Sequence, residues 1–535
     1  MNRSAVSVGS LTGSLVGALL CSGLAAAAEW TRSAGVAVGA LYSSNVCRTP
    51  QDEQGEPFAT VTPSLDLQAD GDRIDFAIRG AIEYNSLGNS NIECPQGGFG
   101  NLINRETWVP RGDAYGEVEA VENALFLEAD AFATQNPINP FLAGGDNNVN
   151  AVGNTNITYR WSTGARLDRQ HGDDWSTYLR YNYNEQYNSF NQVLGDTQED
   201  RVELNVGMIP GINRASLRVR GAYSEVTFME TDELSEFENR LARLELRGAL
   251  ELSRRFQLNS SFGEENNNFF SADSEIDGEY WDLGLRYTPN ERVTLEAGYG
   301  ERFFGETPRV SIDYRHKRVN LRADYIRDVQ FPRDIRGGGG PFDPTDPLDP
   351  GLGLPGEPLP GAGDPTFLGQ GPVLNESFVF AYGFTGRRSS LSFRASDSRQ
   401  VLLINNAEGT FLSATATATR TTGYGLVADV SISYTENEGV LGFGSAVGPE
   451  QGLEAWRASL GFRRQLGAGT DLTLRYDYTD QKGAGVFEGG GNSFNSFDEH
   501  LVSFTLRFIF GGRDRAGETG EDEQVNSRTN DRQAF

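Results

Sequence analysis

The feature that most limits what this chain can fold into is a period-two alternation that returns along most of its length. In Leu501 to Phe510, Val502, Phe504, Leu506, Phe508 and Phe510 share one face, and Ser503, Thr505 and Arg507 share the other. Successive side chains of a strand point to opposite sides, so this spacing makes a strand with one apolar and one polar face. Leu244, Leu246, Leu250 and Leu252 oppose Arg243, Glu245, Arg247 and Glu251 in the same way. Val319, Leu321, Ala323 and Tyr325 oppose Arg318, Asn320, Arg322 and Asp324. A soluble sandwich also alternates. Here, however, the polar face is dense in Arg with Asp or Glu, and the apolar face is Leu and Val with aromatic ends, which is the pattern of an outer-membrane barrel.

The gaps between strands sharpen this reading. Twenty-two segments can be placed, from 30–46 to 497–510. Gaps after even-numbered strands are tight turns, as at Asp70-Gly71, His171-Gly172, His316-Lys317 and Gly467-Ala468. Gaps after odd-numbered strands are mostly long, as at 47–57, 88–111, 135–154 and 331–373. Barrels with both termini in the periplasm have this asymmetry of short inner turns and long outer loops. Aromatic residues fall where two girdles would lie. Tyr42, Tyr84, Tyr183, Tyr299, Tyr434, Trp281, Trp456 and Tyr115 mark the outer rim, and Trp30, Trp175, Tyr314, Phe462 and Phe510 the inner one. Pro63 interrupts the second strand and removes a ladder donor. The weakly patterned hairpins 112–134 and 389–421 leave the count between 18 and 22.

Composition supports an envelope protein. The 535 residues carry 74 Asp+Glu against 46 Lys+Arg, a formal charge of −28, so a nucleic-acid partner is not expected. Gly numbers 64, Phe 32 and Tyr 19, while Met, His and Cys number three each. Only Lys317 and Lys482 are lysine. Arg3, the apolar stretch Ala5 to Leu24 and Ala25-Ala26-Ala27-Ala28 read as an export signal over 1–28, cleaved near Ala28. A lipoprotein signal at Cys21 is disfavoured by the bulky Leu20 before it, and a retained membrane anchor by the short, weakly apolar segment. The expected fold is all-β. It is a transmembrane antiparallel up-and-down barrel of about 22 strands over 29–510, followed by a polar, disordered periplasmic tail over 511–535. Because the first strand follows the signal directly, no plug domain is expected.

Charge is segregated along this pattern. The outer loops are acidic; 229–237 alone carries Glu230, Asp232, Glu233 and Glu236. The expected lumen face carries Arg180, Arg218, Arg220, Arg243, Arg247, Arg286, Arg309, Arg322, Arg457, Arg463, Arg475 and Arg507, with fewer carboxylates between them. Such a wall suits an anionic or sugar-like solute, or it braces a wide polar interior with Arg–Glu ladders. Cys47 and Cys94 fall in adjacent outer loops of an oxidising compartment, so a disulfide between them is expected. Loop 331–373, rich in Gly and Pro, has Asp residues three apart and broken by Pro. That spacing does not match a calcium loop and fits a flexible outer segment.

Little in the sequence suggests catalysis. His171 and His316 fall in inner turns and His500 opens the last strand, so no two should meet. No zinc-protease, CxxC, P-loop or dinucleotide fingerprint is present, and neither catalytic residues, cofactor nor metal are expected. Phe504, Leu506, Phe508 and Phe510 form the expected closing-strand signal for the barrel assembly machinery.

Gly35-Val36-Ala37-Val38 with Tyr42-Ser43-Ser44-Asn45, then Thr62-Pro63-Ser64-Leu65-Asp66-Leu67 and Asp72-Arg73-Ile74-Asp75-Phe76, resemble the outer-membrane β-barrel porin family associated with PEP-CTERM/exosortase and exopolysaccharide loci. The likeness covers most of the mature chain and departs from the family's usual ending in the tail Gly511–Phe535. The resemblance implies a link to polysaccharide export or protein sorting at the Gram-negative envelope and carries over no catalytic residue. The expected function is a passive outer-membrane channel for an acidic polysaccharide or another anion. Its partners would be outer-membrane lipid, lipopolysaccharide and periplasmic export components. The alternatives are a non-conducting structural or assembly barrel and, less favoured, an outer-membrane hydrolase.

Overall fold

The computed structural model describes residues 28–48, 53–87, 108–137, 155–189, 196–209, 214–230, 236–269, 271–272, 276–330, 372–404, 406–439, 452–483 and 496–510. The export signal, Cys94, most of loop 331–373 and the tail 511–535 lie outside the described residues. The strands are β1 (Glu29–Ser43), β2 (Glu56–Asp70), β3 (Ile74–Leu87), β4 (Trp108–Val121), β5 (Leu125–Pro137), β6 (Thr155–His171), β7 (Trp175–Asn188) and β8 (Thr197–Met208). Next come β9 (Ala215–Phe228), β10 (Phe237–Ser253), β11 (Phe256–Asn268), β12 (Gly278–Asn290), β13 (Val293–Arg302), β14 (Gly305–Glu306), β15 (Arg309–His316) and β16 (Val319–Gln330). The last are β17 (Val373–Thr385), β18 (Ser389–Leu402), β19 (Ala407–Thr421), β20 (Leu426–Gly439), β21 (Gly452–Gly467), β22 (Thr470–Gly483) and β23 (Phe497–Phe510).

All 23 strands belong to one sheet in which sequence neighbours pair antiparallel. The two-residue β14 only folds back on β13, through Glu301↔Glu306 and Arg302↔Gly305, so 22 strands form the wall. The sheet closes on itself where β1 pairs β23 from Ala34↔Phe510 to Ser43↔Leu501, and this removes the free edges an open sheet would expose. The tight connections, such as 71–73, 172–174 and 317–318, gather at one end together with the start of β1 and the finish of β23. That end is called the turn end here, and the opposite one the loop end. Among the described residues, every segment is part of the wall or of a connection at a rim.

The alternation sorts side chains between the two faces. Leu244 is 58% and Leu252 59% exposed, and both lie on the outward face of β10 with Leu246 and Leu250. Glu245 on the opposite face is 3% exposed. An exposed belt of Leu, Val and aromatic residues around a polar interior is the arrangement of a barrel whose outside meets lipid. Across neighbouring strands near the loop end, Tyr84 packs on Trp108 at 4.6 Å, Tyr434 on Trp456 at 4.7 Å and Trp281 on Tyr299 at 6.0 Å. Tyr115 does not join that girdle: it faces inward and donates to Glu117 at 3.0 Å.

The weak hairpins in the sequence are strands with a low-contrast outer face. In β19 the outward residues include Ala414, Ala416 and Ala418 against inward Ser413, Thr415 and Thr417. In β4 they include Gly112, Ala114 and Gly116. Small residues blur the hydropathy signal without disturbing the ladder. Pro63 stays within β2 opposite Val36, but the ladder to β3 passes from Val61↔Tyr84 to Ser64↔Ala81, leaving Pro63 without a partner on that side.

Candidate functional site

The inward face of the wall divides into two halves. Toward the loop end its side chains are buried: Asn156 is 0%, Asn184 1%, Thr60 1% and Glu499 2% exposed. Side chains of adjacent strands supply part of the cover, as where Asn156 donates to Asn188 Oδ1 at 2.9 Å. At the β1–β23 seam the cover is the chain just after β1. Leu41, Val46, Cys47, Phe58 and Leu501 form an apolar cluster there. Beside it, Arg48 reaches Glu499 with Nε to Oε2 at 3.0 Å, and Ser43 donates to the other carboxylate oxygen at 2.6 Å. Cys47 is disulfide-bonded. Arg48 has φ of 51°, a backbone conformation rare for a residue with a side chain, and it is held there by these contacts. Sequence reading missed Arg48, because nothing local shows a loop residue turning into the lumen.

Toward the turn end the same face is open and charged. On β4 to β7, Arg166 bridges Glu117 at 2.8 Å and Glu128 at 3.1 Å, and Arg180 meets Glu128 at 2.7 Å. Phe126 lies under Arg166 at 4.5 Å. Arg166, Glu117, Tyr115, Arg180, Arg218 and Arg220 line a cavity of about 1240 Å³. Sequence reading left out Arg166 as well, although the alternation of β6 that puts it inward with Arg160 and Asp168 was a signal for it; its role depends on β4 and β5 supplying carboxylates.

On β9 and β10 the register sets cation against cation. Arg218 is directly opposite Arg247, while Arg220 is opposite Glu245. Glu245 takes Arg247 at 2.7 Å and Arg220 at 3.9 Å, and accepts the Tyr280 hydroxyl at 2.6 Å. The Tyr280 ring crosses Gly263, where an added Cβ would stand 2.7 Å from it, so a glycine on β11 is what lets β12 reach β10. Arg218 donates to Ser176 Oγ at 3.0 Å and has no ion-pair carboxylate among the described residues. Like charges directly opposite in a sheet repel.

The other expected lumen arginines also share the inward face. Arg309 lies across Gly298 to pair with Asp282, and sits 3.9 Å from Glu296. Arg286 meets Glu296 at 3.0 Å, Arg322 meets Asp324 at 2.5 Å, and Arg475 meets Asp477 at 2.8 Å. Arg243 is 4.0 Å from Glu265, which also holds Arg302 at 2.5 Å. Arg457 and Arg463 alternate inward along β21, and Arg507 does so on β23, opposite Asp471. The expected shortage of carboxylates is therefore corrected for most of the wall: Glu128, Glu245, Glu265, Glu296, Asp282, Asp324 and Asp477 sit among the arginines. Acid–base pairs brace the interior, and the guanidinium excess is concentrated around Arg218 and Arg247.

The three histidines remain apart. His171 approaches Thr177 Oγ1 at 3.1 Å, His316 stacks on Tyr314 at 6.4 Å, and His500, on the outward face of β23, meets the Tyr476 hydroxyl at 2.8 Å. Phe504, Phe508 and Phe510 share that outward face with His500. Among the described residues, no group of His, Cys, Asp and Glu has the arrangement of a metal site.

No protein-family model matches the chain, nor does any curated relative. The fold is similar to solved structures of the ferric enterobactin receptor from Pseudomonas aeruginosa. One variant, in complex with enterobactin, aligns with a TM-score of 0.51 at 12% identity over 90% of this chain and 81% of that one. A second variant aligns with a TM-score of 0.50 at 13% identity over 90% and 80%. At such identities the likeness is one of fold, and it makes this chain a large barrel of the outer-membrane type.

Proposed function

We propose that the barrel is an anion-preferring channel of the Gram-negative outer membrane, with its turn end in the periplasm. The observation that carries this reading is the guanidinium excess on β9 and β10, where Arg218 faces the lumen opposite Arg247 with a hydroxyl rather than a carboxylate as its partner. Charges lining a wide aqueous pore remain partly hydrated and act over about 8–10 Å, so they bias which ions pass more than they stabilise the wall. The resemblance to porins of exopolysaccharide loci adds the proposal that the solute is an anionic polysaccharide or a smaller anion. Lipopolysaccharide, the barrel assembly machinery and periplasmic export components would then be its partners. The reading involves no enzymatic step and no plug.

A second reading, a non-conducting structural or assembly barrel, is favoured by one observation: the buried inward face at the loop end. Planar-bilayer recording of the refolded protein separates the two. Stable conductance with a reversal potential shifted toward the chloride equilibrium potential is the expected result, and an absence of conductance would leave the structural reading.

A further inference from the structure

Beyond ion preference, the wall holds a pocket shaped for one kind of solute. A cavity of about 380 Å³ lies over β8 to β15 at the turn end, with Arg218, Arg220, Arg247, Arg286 and Arg309 on its lining. Among the described residues the carboxylates lining it are Asp282 and Glu296, and both are already engaged, Asp282 by Arg309 and Glu296 by Arg286. Arg220 and Arg247 share Glu245, whereas among the described residues Arg218 donates to the Ser176 hydroxyl and to no carboxylate. The lining is completed by neutral hydrogen-bonding groups, among them Asn205, Ser216, Asn259 and Ser261.

We infer that this pocket binds a hydroxylated oxyanion, an acidic sugar carrying a carboxylate. Residues directly opposite in an antiparallel ladder have Cβ atoms about 5 Å apart, so the Arg218 and Arg247 guanidiniums can converge on one anion. Such an anion relieves their repulsion. A carboxylate suits them better than a halide, because planar guanidinium forks bind paired oxygens in bidentate fashion. Asn and Ser side chains both donate and accept, which is what sugar hydroxyls require. The volume is at the lower end of ordinary small-molecule sites, room for a single ring. The inference deepens the channel reading and rests on it for access from the lumen, but the site itself does not depend on conduction.

The test uses the full refolded chain in detergent micelles, titrated calorimetrically with sodium glucuronate and separately with glucose, at low salt. Saturable glucuronate binding in the millimolar range or tighter is expected, with none for glucose. Arg218→Gln with Arg247→Gln should weaken it at least tenfold, since both charged donors are lost. Arg218→Lys should retain part of it. Arg399→Gln, which removes an outward-facing arginine paired with Glu408, should change nothing. Absence of saturable glucuronate binding, equal binding of glucose, or binding undiminished in the double variant would overturn the site. Conduction is read on the same preparation. A barrel that conducts anions and ignores glucuronate loses only the pocket, and one that binds glucuronate without conducting loses only the channel.

Discussion

The two halves of the lumen are built on the same alternating strands and solved differently. At the loop end the inward face is neutral or tightly paired and buried: Asn156, Asn184 and Thr60 are almost wholly covered, and the charged pair Arg48–Glu499 has side chains 3% and 2% exposed. At the turn end the inward face is arginine-rich and more open at its guanidiniums, the Arg247 side chain being 45% exposed and that of Arg322 69%, while carboxylates between the arginines, such as Glu245 and Glu128, stay buried. A charge withdrawn from water must be matched closely, whereas a hydrated one tolerates an imperfect partner or a like neighbour. The difference explains why only the turn end can carry surplus cations such as Arg218, and why selectivity and stability are separable along the barrel axis.

The sharpest way to break this comparison is at the seam. Arg48→Ala removes a buried ion-pair partner of Glu499 and should cost about 3–5 kcal/mol, lowering the temperature at which the heat-modifiable form on a gel is lost. A melting temperature near wild type would mean that the loop end is wetter than described. Cys47→Ser, which opens the disulfide in the same cover, should cost about 2–4 kcal/mol, and reductant should reproduce the effect in the parent protein.

At the turn end the effect that tests function is electrical. Replacing Arg218, Arg220, Arg243 and Arg247 by Gln should move the reversal potential in a salt gradient toward cations; melting should also fall, because Glu245, with a side chain 2% exposed, loses Arg247 and Arg220 and keeps the Tyr280 hydroxyl. An unchanged reversal potential would defeat the anion-channel proposal. Arg322→Gln touches an exposed pair with Asp324 and should alter stability by less than about 1 kcal/mol, which denaturation by heat on the same gels would check. Smallest of all is the effect expected from deleting 511–535. The barrel closes through β23 pairing β1 up to Phe510, so insertion should survive, and loss of the folded form would move the closing signal into the tail.

Much of the fold was legible because the property that encodes it is local. Strand alternation and the length of each gap depend only on neighbouring residues, and they yielded the wall strands, their order and the ends at which turns and loops collect. The small-residue faces of β4 and β19 obscured the register signal but not the ladder. Which arginines share a face along each strand was readable for the same reason, since parity along a strand assigns a face. What they touch was not. Glu128 gathers Arg166 and Arg180 from two other strands, Tyr280 reaches Glu245 over Gly263, and Arg218 meets Arg247 only because of the β9–β10 register. Parity along one strand decided which side chains face the lumen. Which of them pair, and which end is buried, came from register and closure, because cross-strand contacts join residues far apart in sequence and become definite only once every stagger in the ring is set.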